Sequence, residues 1–406
     1  MNEQVFHDDV FLFGRKSLIV FLAFLNAFVP LSIDLYLPAL PGMAALFSAS
    51  ESAAKLTLSL FMLFFALSML LWGPLSDKYG RKKILWFGLF LYVTSSLACS
   101  MAQSMEFLIA GRILQAIGCG AVQSVSMAIV KDIFQEGRTM ENVLVWIQTM
   151  TILCPMLAPI LGAFLLQYFS WRGLFVILMA GGLAGLLLSF ALKETLEDRL
   201  DVSPWRSFGR IGFVLRDKGF RSLLLIFSLT AMPFMAFLSA SAFIYENMFG
   251  TTSQGYSYFF ALNASFSLLG PLFYARLFRR MPRFLFLTIS FGVTLCAGLL
   301  LCFYGSSGPW YFALLFIPVT FMGSANRPVG AVLMMSQLDS DNGTVVGLMS
   351  CSALFFGSIS MLICSMGWNN LVIAVGTICA CGGGICLALW LNANRNRTYR
   401  LPRGES

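Results

Sequence analysis

The chain has 406 residues, 58% of them hydrophobic and only 11% charged, with a formal net charge of +8. A soluble domain carries about a quarter charged residues to solvate its surface, so most of this surface must face lipid, which leaves little room for a nucleic-acid-binding reading of the positive balance. Ten cysteines and one histidine, His7, supply no metal cluster: Cys379 and Cys381 stand two apart without a second pair, and all ten thiols fall in apolar runs where they read as small packing groups.

Apolar runs long enough to cross a bilayer, about 20 residues each, are predicted at 18–38, 54–74, 84–104, 106–128, 143–167 and 172–192, then at 222–244, 255–277, 284–304, 310–332, 344–366 and 371–391. The first is too long for a signal-peptide core and has no small-residue cleavage site, so it counts as a span. The longest polar stretch, Lys193 to Arg221, divides the chain into a six-span bundle (1–192), a linker (193–221), a second six-span bundle (222–392) and a tail (393–406). If the N-terminus is cytoplasmic, 23 of the 27 Lys and Arg fall on the inner side, in the even-numbered loops, the linker and the two ends. Only Lys55 and Arg172 lie outside, and Arg112 and Arg327 lie within spans. This asymmetry follows the positive-inside rule and predicts a multi-pass protein of the bacterial inner membrane with both termini cytoplasmic.

The loop after span two reads Gly73-Pro-Leu-Ser-Asp77-Lys-Tyr-Gly80-Arg81-Lys82-Lys83. Its glycines permit a tight turn at the membrane surface, and its aspartate sits among four cations. The pattern G-x-L-x-D-x-x-G-R-K resembles the signature loop of the major facilitator superfamily. Further stretches resemble the Bcr/CflA-type drug:proton antiporters of that superfamily: Pro30-Leu-Ser-Ile-Asp34-Leu-Tyr36-Leu-Pro38-Ala-Leu-Pro41 in span one, Trp171-Arg172 with Phe175, Lys193-Glu194-Thr195-Leu196, Phe237-Leu-Ser239-Ala240, and Phe259-Phe260-Ala261-Leu262-Asn263. The resemblance covers nearly the whole chain and implies an all-α membrane fold of twelve helices in two pseudo-symmetric six-helix bundles. It also implies a gating role for Gly73, Asp77, Gly80 and Arg81.

Asp34 carries the most weight, because an acid inside a span is costly and marks a relay or a binding site. At 1.5 Å per residue it stands about 24 Å above the inner edge of a core about 30 Å thick, and Arg112 reaches about 9 Å below the outer edge. The two opposite charges are therefore expected at similar depth and able to pair. Burial favours a protonated carboxyl and a nearby arginine favours the ionised one, so substrate entry can drive proton release, with Asp34 and Arg112 as the coupling pair. Two departures stand out: Asn26 occupies the position where some multidrug relatives carry a second acid, and Arg112-Ile-Leu-Gln115-Ala116-Ile-Gly118 has alanine for the first glycine of R-x-x-Q-G-x-G. One proton per cycle is expected.

In span five, Pro155 and Ala158-Pro159-Ile-Leu-Gly162-Ala163 resemble the G-P-x-x-G-G element of antiporters, with small residues for close helix contact and prolines that bend the helix. Arg327, towards the cytoplasmic end of span ten, is expected to snorkel to lipid phosphates. Candidate substrate contacts are the polar Asn26, Tyr36, Gln115, Gln148 and Asn263 and the apolar Phe61, Phe234, Phe237 and Phe259.

The resulting expectation is a monomeric, proton-coupled antiporter that exports small amphipathic drugs or metabolites. No phosphate-binding G-x-x-x-x-G-K-[ST] loop is present, so no nucleotide or other cofactor is expected and the proton gradient is the energy source. The rivals are a dedicated exporter of one endogenous metabolite, such as a siderophore-like compound or an amino acid derivative, and a non-transporting membrane sensor. An embedded enzyme would need a nucleophile–base pair or metal cluster within the spans, and the sequence offers neither.

Overall fold

The computed structural model describes residues 12, 14–134, 138–196, 212, 214–278, 280–337 and 342–400. All regular structure among them is helical: α1 (Gly14–Asp34), α2 (Leu40–Leu46), α3 (Glu51–Tyr79), α4 (Arg81–Ser100), α5 (Met105–Ile133), α6 (Arg138–Leu165), α7 (Trp171–Ser189), α8 (Lys218–Leu229), α9 (Met232–Phe243), α10 (Ser253–Phe273), α11 (Arg283–Tyr304), α12 (Pro309–Met335), α13 (Asn342–Ser365) and α14 (Leu371–Arg395). With α1–α2 and α8–α9 each taken as one interrupted crossing, these make twelve spans, as the hydropathy pattern predicts. Ten of the described stretches are long and apolar enough to cross a membrane on length and composition alone.

Two spans differ from their predicted form, and proline explains both. The helix of span one stops at Asp34 and is followed by a 3-10 turn at Leu37–Ala39, where a continuous run to residue 38 was expected. The Pro38 ring would collide with the carbonyl of Asp34 and has no N–H to bond it, so the helix cannot continue through it. Span seven breaks between α8 and α9, with Pro233 in the first turn of the second piece, and ends in a π-turn at Ile244–Met248.

The chain divides into two compact units, Met1–Ala39 with Phe64–Ser207 and Leu40–Leu63 with Phe208–Ser406. The polar linker that the sequence places between the bundles falls largely at 197–211, outside the described residues.

Within the first unit α4 packs against α5 and α7, and within the second α11 packs against α14. Both approaches rely on missing side chains. A Cβ on Gly118 would stand 2.8 Å from the Gly88 carbonyl oxygen and 2.9 Å from the Tyr92 nitrogen, and one on Gly376 would stand 2.9 Å from the Cys302 nitrogen. Lipid gives no hydrophobic drive between apolar helices, so close backbone contact supplies the packing energy. The cysteines take part as packing groups: the Cys99 sulfur fills the notch at Gly111 and the Cys302 sulfur that at Gly376, and the ten thiols are free.

Candidate functional site

Asp34 is the last residue of α1, so the final carbonyls of that helix have no intrahelical donor of their own. Arg112, projecting from α5 and fully buried, supplies one: its Nη1 donates to the Ser32 carbonyl at 3.0 Å and also to the Gln115 side-chain oxygen. Its guanidinium lies over the Tyr36 ring, 4.4 Å from the centroid, with the Phe175 ring 5.9 Å away. A cation at a helix C-terminus is favoured by the helix dipole, and one over an aromatic face by the ring quadrupole. Gln115 passes the network on by donating to Ser96 Oγ at 2.7 Å, and Ser32 Oγ shares a hydrogen bond of 2.6 Å with the Tyr92 hydroxyl.

The arginine thus engages residues on either side of Asp34 in sequence, as the similar depth of the two charges requires, but the expected ion pair is not formed in this conformation. The Asp34 carboxyl is buried, and its Oδ1 has no hydrogen-bond partner. The reason is the early end of α1, which exposes a main-chain carbonyl that the guanidinium takes instead.

The small residues of span five bear on the same place. A Cβ on Gly162 of α6 would collide with the carbonyl oxygen of Leu35, so glycine there lets α6 lie directly against the turn that follows Asp34. Pro155 and Pro159 both lie within α6, Pro159 buried. Asn26, about two turns earlier in α1, donates to the Leu22 carbonyl and accepts from Gln123 Nε2 at 2.8 Å, so it links α1 to α5 as a neutral polar pair. The side chain of Gln148 lies outside the described residues.

A second constellation sits at the other end of the first unit. Gly80 has φ +100, a left-handed conformation that glycine tolerates, and a Cβ there would also strike the Glu194 carboxylate. Arg81 follows at the start of α4. Its Nε donates to Asp132 Oδ2 at 2.8 Å, its Nη1 to Ser76 Oγ at 2.6 Å and to Asp77, and its main-chain N–H to Glu194 Oε1 at 2.8 Å. One buried guanidinium therefore ties the C-terminal ends of α3 and α5 to the start of α4, while Glu194 clamps the segment after α7. Gly73 lies one turn before Asp77, with Ser124 Oγ at ordinary contact distance from where its Cβ would be. Sequence reasoning named Asp77 and Arg81 but missed Asp132. The signal was present: Asp132 stands in the last turn of α5, where a negative charge opposes the helix dipole unless a cation answers it.

In the second unit, Phe237 is buried at the centre of an aromatic stack with Phe316 (4.4 Å between centroids), Phe260 (5.9 Å), Phe312 (6.0 Å) and Phe234 (6.5 Å). Phe259 is placed differently, stacked on Tyr245 at 4.7 Å and edge-on to Trp310. Asn263 is buried and accepts from Thr320 Oγ1 at 2.6 Å, and its Nδ2 donor is unsatisfied. Phe61 is fully buried in the part of α3 that belongs to this unit. Lys55, taken from the sequence as an outer-surface cation, is also buried there, with its ammonium 5.7 Å from the centroid of the Phe243 ring.

Comparison with known proteins agrees with this architecture. The chain is 33% identical over 267 residues to "Uncharacterized MFS-type transporter YdgK" of Bacillus subtilis (strain 168), covering 64% of this chain and 66% of that one. It is 32% identical over 312 residues to "Multidrug resistance protein MdtL" of Salmonella schwarzengrund (strain CVM19633), covering 76% of each. Among solved structures, a peptide transporter POT in complex with alafosfalin superposes with a TM-score of 0.73 at 17% identity, over 100% of both chains. A bacterial homologue of the human lysosomal transporter Spinster gives 0.71 at 16% identity, over 95% of this chain and 98% of that one. At such identities the two structures speak for the fold alone. The profile of the Major Facilitator Superfamily matches residues 19–361, and with that match, the signature loop and the twelve helices, the chain belongs to this superfamily of multi-pass membrane transporters and is not an enzyme.

Proposed function

We propose that the chain is a proton-coupled antiporter of the Bcr/CflA type, exporting small amphipathic compounds across the bacterial cytoplasmic membrane by exposing one site alternately to the two sides. The observation that carries the reading is the buried Asp34 carboxyl, whose Oδ1 has no hydrogen-bond partner while the neighbouring Arg112 is held by Ser32 and Gln115. A buried acid without a fixed partner is free to take and release a proton as its surroundings change. Arg112 keeps its charge throughout, and it serves as the fixed post against which the end of α1 moves.

The relative named as a multidrug resistance protein supports the direction of transport and a small-molecule substrate. The aromatic stack around Phe237 and the sparse polar groups Tyr36, Gln115 and Asn263 suit an apolar compound with few hydrogen-bonding groups. The distribution of Lys and Arg supports cytoplasmic termini.

Comparing the extracellular metabolites and drug tolerance of cells with and without overexpression identifies the cargo. Vesicles carrying the purified protein then test coupling. An imposed pH gradient should drive uptake of that cargo into inverted vesicles, and collapsing the gradient should stop it. Uptake indifferent to the gradient would refute proton coupling.

A further inference from the structure

Lys55 stands in the second turn of α3 and is only 2% exposed, although the sequence reads it as a surface charge. Its ammonium rests 5.7 Å from the centroid of the Phe243 ring, and among the described residues it has neither a hydrogen bond nor an ion pair. A ring face returns only part of the hydration that an ammonium gives up on burial, so the charge weighs against the packing around it.

That packing is a seam within the second unit. Glu51, Lys55 and Ser59 follow one another at intervals of four along α3 and so share one face, over about 12 Å of its axis. At the exposed end Glu51 accepts from Asn247 Nδ2 at 2.7 Å. Lys55 meets Phe243 in the middle, and deeper in, Ser59 Oγ shares a hydrogen bond of 3.1 Å with Ser365 Oγ. The opposite wall is α9 with its π-turn and the end of α13, and Ser360 Oγ of α13 donates to the Met232 carbonyl of α9 at 2.9 Å. Neither residues 51–63 of α3 nor α9 contains a glycine, so the seam is not seated on the backbone notches that join α4 to α5 and α11 to α14. Its hydrogen bonds are ones that water can replace at little net cost. Such a contact can part, and α3 from Phe64 onwards belongs to the first unit.

We propose that Lys55 is a positioning residue that keeps this seam releasable. Its buried charge raises the free energy of the closed seam, so that α3 can leave α9 and α13 and admit water down to Ser59 in each transport cycle. The distribution of Lys and Arg supports an outer position for this end of the helices, which makes the seam the exit side for cargo. The inference rests on the exporter reading, which requires the outer end to open.

Opening is read without cargo or gradient. The purified full chain in nanodiscs is exposed to a pulse of hydroxyl radicals, and peptide mass spectrometry measures oxidation of Phe243, a buried ring that water reaches only when the seam is open. Phe316, buried in the aromatic stack of the same unit, serves as the internal reference. Lys55→Met replaces the charge by an apolar chain of similar length. It should raise the thermal midpoint and lower Phe243 oxidation about tenfold, as removal of an uncompensated buried charge does. Lys55→Arg keeps the charge and should leave Phe243 oxidised as in the parent. A Met variant that melts lower than the parent or fails to fold overturns the inference, because the charge would then hold the seam together through Phe243. So does Phe243 oxidation that Lys55→Met leaves unchanged, or its absence in the parent. If footprint and melt behave as described while inverted vesicles show no gradient-driven uptake, the exporter reading falls and the role of Lys55 in the seam stands.

Discussion

The guanidinium of Arg112 donates to the main-chain carbonyl of Ser32, 3.0 Å away, and leaves the carboxyl of Asp34 without it. The arginine caps the end of α1, and the Oδ1 of the acid two residues on has no hydrogen-bond partner. The two residues therefore have separable roles, and substitution should separate them.

Asp34→Asn preserves size and hydrogen bonding but cannot titrate. Weakly buffered, detergent-solubilised protein mixed with a substrate should release protons to a pH dye in the parent and none in the variant, while a neutral substrate still binds. Release at the parent level from the Asn variant would move the coupling site elsewhere, first to Glu246, whose Oε1 is also buried and unsatisfied.

Arg112→Lys retains the charge and loses the planar fork that reaches Ser32 and Gln115 together. Loss of one charge-assisted bond is worth about 1.5–3 kcal/mol, and the thermal midpoint should fall accordingly, with transport reduced about tenfold or more. Substrate-driven proton release per mole bound should persist, because the lysine leaves the Asp34 carboxyl in place. If Arg112→Lys abolishes release as completely as Asp34→Asn does, the two residues act as one titrating pair.

Much of this was legible in the sequence, and the reasons differ by residue. The spans were readable because lipid demands about 20 apolar residues whatever the packing, and Asp34 because an acid within such a run is conspicuous. The partner of Arg112 was not readable, because it depends on where α1 ends, and that turns on the clash at Pro38. Asp132 was hidden for a simpler reason: next to Lys131, it resembles an ordinary charged loop residue until the dipole argument is applied.

Gly162→Ala tests the close approach of α6 to the turn after Asp34. The added methyl meets the Leu35 backbone, which cannot swing aside as a side chain can, so overpacking of about 1–3 kcal/mol is expected. Transport should fall steeply while the protein still reaches the membrane. Gly42→Ala, where a Cβ meets nothing within 4 Å, serves as the control and should behave as the parent. Equal, parental transport by both variants would show that the approach has no part in the cycle.

Orientation is tested by reporter fusions. One placed after Arg221 should report the cytoplasm and one near Gly250 the outside, because the basic residues crowd the loops on the N-terminal side of the membrane. Reversed labelling at both positions would invert the topology, and with it the direction of transport.

The Arg81 cluster should govern rate and leave affinity alone. Its guanidinium joins Asp77, Asp132 and Ser76, and every donor and acceptor of that network lies at the ends of α3, α4 and α5, far along the chain from Tyr36 and Gln115. Asp77→Asn removes one of two carboxylates from a buried cation and weakens the tie without emptying it. Asp132→Asn removes the other, and the double variant leaves the guanidinium with neutral acceptors only, a loss that should exceed the sum of the single ones because the groups share one partner. Turnover should drop severalfold in each single variant and nearly vanish in the double, with substrate affinity within about twofold of the parent throughout. Gly80→Ala, which combines a left-handed φ with a clash against Glu194, should be the most damaging, through instability that a thermal melt would register. Should Asp77→Asn instead lose substrate binding in a folded protein, the cluster would belong to the binding site and its role as a gate would be refuted.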